Sequence, residues 1–400
     1  ADSRGPRLLT DLNNAFRRDP NIDEYDILPV LEPKHNKCPF ILRDHKLGVE
    51  AWAVKVLLKY AANRLIGWRG RLSSEKFLDS IELCNLSRAV LLFNPDNYTA
   101  WNIRKELIEN SYLSISDDLM LGALILSKHP KSPETFIHRR WLFQQLLDHC
   151  LSSSSGSNTS CSAAGASTDA VNMEAIDVDV SAAPEPRDHL SGAFSLESSR
   201  LLKSHTQREL EICGGAADHY PSNYHAWSHR IWVVQHCLNS SLQVLLYELK
   251  MTEDWTRQHI SDHSGFHYRQ FLLSEIHRQR ARLTSMHQLS SADLYSQEMA
   301  YVCDLIESFP GHEALWCHRR CLFQTVLRPE FLEANASTLL PSLNGHVPAA
   351  DPMDTDATVV LRSAAITQEL EHIVKTEGKN SHNYQETLAA NYGKWLQKLL

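Results

Sequence analysis

The chain has 400 residues, 43% hydrophobic and 22% charged, with 40 Lys and Arg against 48 Asp and Glu. This is an ordinary soluble composition, long enough for one large domain or two to three average ones. The net charge of −8 and the lack of a basic run exclude a nucleic-acid partner. No apolar stretch reaches the roughly eighteen residues that span a bilayer.

Residues 1–50 read as an N-terminal extended segment. Their first twenty, ADSRGPRLLTDLNNAFRRDP, lack the apolar core of a signal peptide, and the first residue is Ala where an initiator Met is expected. A cytoplasmic location follows, and it agrees with nine Cys at irregular spacing and no C-x-x-C.

Residues 51–150 begin a series of helical repeats. Apolar residues recur at helical spacing in 76–93 and 117–128, and again in 242–260. Between them a motif returns five times: PDNYTAWNIRKELI (95–108), PKSPETFIHRRWLF (130–143), PSNYHAWSHRIWVV (221–234), ISDHSGFHYRQFLL (260–273) and PGHEALWCHRRCLF (310–323). The seventh position is aromatic (Trp101, Phe136, Trp227, Phe266, Trp316), and Arg follows three residues later (Arg104, Arg139, Arg230, Arg269, Arg319). The aromatics are 35, 91, 39 and 50 residues apart. The long interval contains 151–190, which is Ser-rich and then acidic, a composition that cannot bury enough apolar surface to order itself. It reads as a disordered insertion between repeats 51–150 and 191–333. A flexible insertion at 334–357 precedes C-terminal helices at 358–400, where 382–398 resembles a degenerate sixth unit.

No alternating β-branched run occurs, and no Asn-Gly or Asp-Gly pair joins two strand-like runs. The pattern therefore predicts an all-α fold, a right-handed α-solenoid of antiparallel helix pairs in a tetratricopeptide-like crescent. Pro ends the first helix in four of the five units, and Asn97, Ser132, Asn223 or Asp262 caps the second. The aromatic then packs on the neighbouring unit, and the Arg lies along it with its charge at a rim. His138, His229 and His318 recur with the repeat and so face a common seam; they do not have metal-ligand spacing. Nucleotide-binding glycine loops and nucleophile elbows are absent, so this chain alone carries no complete active site.

The N-Y-x-x-W-x-x-R-R pattern, carried by NYTAWNIRK (97–105), NYHAWSHRI (223–231) and the Arg pairs 139–140 and 319–320, resembles the repeat of the protein prenyltransferase α-subunit family. The likeness covers about 75 to 395. The resemblance implies the α chain of a heterodimeric protein geranylgeranyltransferase. Its β partner would hold the zinc and the prenyl pocket, so no metal or cofactor is expected in this chain. The long insertion and the weak second unit are closer to the branch whose α chain serves a third geranylgeranyltransferase beside the Rab geranylgeranyltransferase β chain. Geranylgeranyl diphosphate would be the co-substrate. The acceptor would be a Cys near the C-terminus of targets such as a SNARE or a small GTPase-like protein.

Residue by residue, the resemblance places a diphosphate-stabilising role on Lys131, just before the second unit's cap. Tyr224, His225 and Tyr98 are expected to bind substrate, and Trp227, Arg230, His267 and Arg269 to meet the partner. One departure is clear: the second unit has Ser132-Pro133 where relatives have Asn-Tyr. The missing aromatic implies a roomier site, fit for a target that already carries one prenyl group. The rival reading is a non-catalytic helical-repeat scaffold.

Overall fold

The computed structural model describes residues 3–33, 38–69, 79–155, 190–280, 291–334, 355–377 and 383–400. The cores of both predicted insertions, 156–189 and 335–354, lie outside the described residues.

The N-terminal fifty residues are not an extended segment. Helix α1 (Gly5–Arg18) leads into strands β1 (Glu24–Leu28), β2 (Phe40–Arg43) and β3 (Lys46–Glu50). The sheet order is β1-β3-β2, with β1 parallel and β2 antiparallel to β3. Asp44 and His45 join β2 to β3 at φ 49° and 62°, as a two-residue hairpin of type I′ requires. Asp and His tolerate the left-handed region better than most side chains, so this turn forms without the usual glycine. Helix α2 (Ala51–Arg69) then packs on α1 and on α3 (Ser80–Phe93).

The rest is paired helices: α3 with α4 (Tyr98–Glu109), α5 (Ile115–Lys128) with α6 (Pro133–Ser155), and α7 (Leu190–His219) with α8 (Tyr224–His236). Next come α9 (Leu242–Gln258) with α10 (His263–Arg280), and α11 (Ser291–Ser308) with α12 (Glu313–Val326). After the short α13 (Pro329–Ala334), α14 (Thr355–Glu377) pairs with α15 (Asn383–Gln397). The predicted sixth unit is thus a real helix pair, and the all-α solenoid is confirmed apart from the small N-terminal sheet. The expected caps form: Asn97, Ser132, Asn223 and Asp262 accept from the N–H groups of Ala100, Thr135, Ala226 and Gly265. Pro133 takes the first helical position of α6, where its missing N–H costs nothing.

Among the described residues, α6, α8, α10 and α12 pack each on the next, whereas α7, α9 and α11 do not pack closely on one another. From the third unit to the fifth the second helices therefore line the inside of the curve, whereas in the earlier units α5 packs on both α3 and α7. At the front, α1, the sheet and α2 share one core with α3, α4 and α5, closing the open end of the array. Tyr25 donates to the Leu92 carbonyl, and Lys128 meets Asp26 at 2.5 Å, so β1 seals the end of α3 and α5.

Candidate functional site

The motif's buried half couples one unit to the next. Arg139 donates from Nε to Glu209 at 2.7 Å and from Nη2 to the other carboxylate oxygen, while its Nη1 reaches the Leu119 carbonyl. Arg230 treats Glu248 and the Leu210 carbonyl in the same way, and Arg269 does so with Glu298 and the Leu249 carbonyl. Arg104 meets Asp118, and Arg319 meets Glu369 at 2.9 Å. Each carboxylate sits on the first helix of the following unit. In the second, third and fifth units it also takes the His just before that unit's own motif Arg: His138 Nε2 lies 2.5 Å from Asp118, His229 Nε2 2.6 Å from Glu209, and His318 Nε2 2.9 Å from Glu298. Tyr268 donates to Glu248 at 2.6 Å, and Tyr392 to Glu369 at 2.9 Å.

The aromatics follow the same step. Trp101 stacks on His138 at 4.3 Å, and Phe136 lies tilted against His229 at 5.2 Å, as does Trp227 against Tyr268 at 5.1 Å. Phe266 meets His318 at 5.1 Å, and Trp316 meets Tyr392 at 5.5 Å. In the first unit Leu83 and Ile103 stand at the acid and His positions, since no earlier Arg needs an acceptor there.

Burial alone would push the Glu209 and Glu298 carboxyls up. The Arg charge and the hydrogen bonds from Arg and His outweigh it and hold both at about 2. Burial lowers His138 and His229 below the ordinary imidazole value, so both are neutral donors at pH 7.

This corrects two expectations. The motif Arg charges are not at a rim but inside the chain. Trp227, Arg230 and Arg269, expected at a partner interface, are committed within the solenoid: the guanidinium groups to Glu248 and Glu298, the indole against Trp255 and Tyr268. Of the four residues, only His267 is exposed.

What remains exposed lies at the turns that enter the second helices. Lys131 is exposed, with Nζ 4.0 Å from the ring centre of Tyr220, and it makes no ion pair among the described residues. Its turn is tied to the next unit: Asn223 Nδ2 donates to the Pro130 carbonyl at 2.7 Å and to the Ala216 carbonyl at 3.0 Å. On the other side Ser132 donates to Asp96 at 2.7 Å. Tyr224 is 61% exposed, with the half-buried His225 ring edge-on at 5.7 Å. Lys131 and the Tyr224–His225 pair therefore stand on adjacent turns bridged by Asn223. Tyr98 is 66% exposed, but its hydroxyl is engaged by Glu134, which pushes its pKa up; only its ring is free for a ligand. Tyr220 was missed because α7 follows the insertion, and nothing in sequence marks its ring as a neighbour of Lys131. Among the described residues no group of three or more His, Cys, Asp or Glu could hold a metal ion. None of their helices is long and apolar enough to cross a membrane.

A family model for the protein prenyltransferase alpha subunit repeat matches residues 82–111, 206–237, 245–276 and 295–326. The chain is 41% identical over 338 residues to protein prenyltransferase alpha subunit repeat-containing protein 1 of Danio rerio, covering 79% of this chain and 71% of that protein. It is 34% identical over 453 residues to protein 1-A of Xenopus laevis, covering 98% and 96%. The chain belongs to the protein prenyltransferase α-subunit-repeat family. A more distant relative is the geranylgeranyl transferase type-2 subunit alpha of Sus scrofa, 23% identical over 252 residues, or 59% of this chain and 33% of that one. The four matched segments are the first, third, fourth and fifth helix pairs. The second pair of this family member, which carries Lys131, Ser132 and Pro133, falls outside them, as does the sixth.

Proposed function

We propose that this chain is the α subunit of a heterodimeric protein geranylgeranyltransferase. Its β partner, a chain like that of the Rab geranylgeranyltransferase, would hold the zinc and the prenyl pocket. In the reaction, the thiolate of a target Cys bonds to the first isoprenoid carbon as that carbon's bond to diphosphate breaks. The products are a thioether and free diphosphate. SNARE and small GTPase-like proteins are the expected targets. The observation that carries this reading is Lys131: an exposed cation with no carboxylate partner among the described residues, on a turn anchored to the next unit, in a chain built of α-subunit repeats.

Negative charge grows on the leaving diphosphate, and a placed cation stabilises it more in the transition state than in the ground state. Lys suits the task as a compact, mobile point charge. Tyr224 and His225, on the adjacent turn, would line the same cleft and donate to phosphate or peptide. The exposed His267 on α10 belongs to the face that meets the β subunit.

Co-expression with prenyltransferase β chains tests the proposal. A stable heterodimer that transfers a geranylgeranyl group to a Cys-bearing target is expected. A stable chain that pairs with no β subunit would leave the scaffold reading in its place.

A further inference from the structure

Four exposed or half-exposed lysines show two different environments. Lys46 is held by Asp23 and Glu24, Lys128 by Asp26, and Lys250 by Glu253. Lys131 instead lies over the ring of Tyr220. The difference matters for a cation that must act on an anion. A carboxylate would neutralise the ammonium and take up its N–H groups. An aromatic face attracts the ammonium through its quadrupole but leaves its full charge and its remaining N–H donors free.

The ring is also fixed in place. Tyr220 follows the end of α7, and the residues around it are anchored in three directions. Asn223 holds the Ala216 carbonyl on α7 and the Pro130 carbonyl beside Lys131. Ser222, at φ 52°, donates its N–H to Asp262 of the fourth unit at 2.6 Å. The segment that carries the ring is thus locked to the turn that carries the cation.

We infer that Tyr220 is a positioning residue for Lys131: its ring aims the ammonium while leaving it free to meet diphosphate. This inference rests on the catalytic reading of Lys131. Tyr220 acts through the lysine and need not touch substrate. A structural role alone would require the ring for folding; this role requires the ring for turnover, and only when Lys131 is present.

The test uses the full chain in its heterodimer with the β subunit, comparing Tyr220→Ala, Tyr220→Phe and Lys131→Ala, singly and as Tyr220→Ala/Lys131→Ala. Tyr220→Phe keeps the ring and should keep kcat. Tyr220→Ala should lower kcat about three- to tenfold, with the KM for the target protein and the thermal midpoint unchanged. In the Lys131→Ala background, Tyr220→Ala should have no further effect. A damaging Lys131→Ala beside an inert Tyr220→Ala overturns this inference alone. So does a loss from Tyr220→Ala that persists without Lys131. An inert Lys131→Ala overturns the catalytic reading, and this inference with it.

Discussion

Arg139 of α6 and Glu209 of α7 meet through two parallel N–H···O contacts, with both side chains only 1% exposed. The pair joins the second unit to the third across the predicted insertion. Removing one member strands a buried charge, which costs about 3–5 kcal/mol. Glu209→Gln should therefore lower stability sharply in urea denaturation followed by helical circular dichroism. The double replacement Arg139→Met/Glu209→Leu should cost less than either single change, because it leaves no unpaired charge.

The same nodes set the pH dependence. His138 and His229 have lowered folded values, so unfolding takes up protons as pH falls below the ordinary imidazole value of 6.5. Glu209 and Glu298 are held at about 2 against 4.5, so their contribution is full above pH 4.5 and is lost as pH falls from there towards 2. Stability should be flat near neutrality, decline below about 6.5 and fall more steeply below about 4.5. In Glu209→Gln the steep acid limb should be shallower. Urea midpoints measured across this range check both slopes.

His267 and Arg269 are two residues apart but belong to different faces. His267 is exposed and Arg269 is closed on Glu298. His267→Ala should leave stability within about 0.5 kcal/mol of the parent. It should weaken the complex with the β subunit, measured by surface binding kinetics. Arg269→Ala should destabilise the chain by several kcal/mol, whether or not a partner is present.

Pro133 opens α6 where the family resemblance expects Tyr. Pro133→Tyr should keep the helix, since the first helical position accepts either residue. It should reduce transfer to targets that already carry a prenyl group relative to unmodified ones. Equal rates on the two targets would show that this position does not govern the size of the cleft.

The repeat and its caps were legible because the spacing within the motif is constant, with Arg always three residues after the aromatic, and because Asn97, Ser132, Asn223 and Asp262 are good caps wherever Pro or a break precedes them. The coupling carboxylates were not seen, although a signal existed. Asp118, Glu209, Glu248 and Glu298 each stand twenty residues before His138, His229, Tyr268 and His318. Without them the motif Arg read as a rim charge, and Arg230 and Arg269 as interface residues. The N-terminal sheet was missed because its strands are four or five residues long and its hairpin uses Asp44-His45 in place of a glycine turn. Lys131 was found from the resemblance, since a lysine in a turn carries no mark of its own. The Tyr220 ring beneath it depends on how α7 returns after residues 156–189.

The central claim is that Lys131 stabilises the leaving diphosphate. Its most direct measurement is the single-turnover rate of geranylgeranyl transfer by the heterodimer carrying Lys131→Ala. The rate should fall about tenfold to a thousandfold, with the complex intact and target binding unchanged. Lys131→Arg should restore part of it, since the charge returns in a different shape. An unchanged rate in an intact Lys131→Ala heterodimer would contradict the account and leave this chain as a scaffold for its partner.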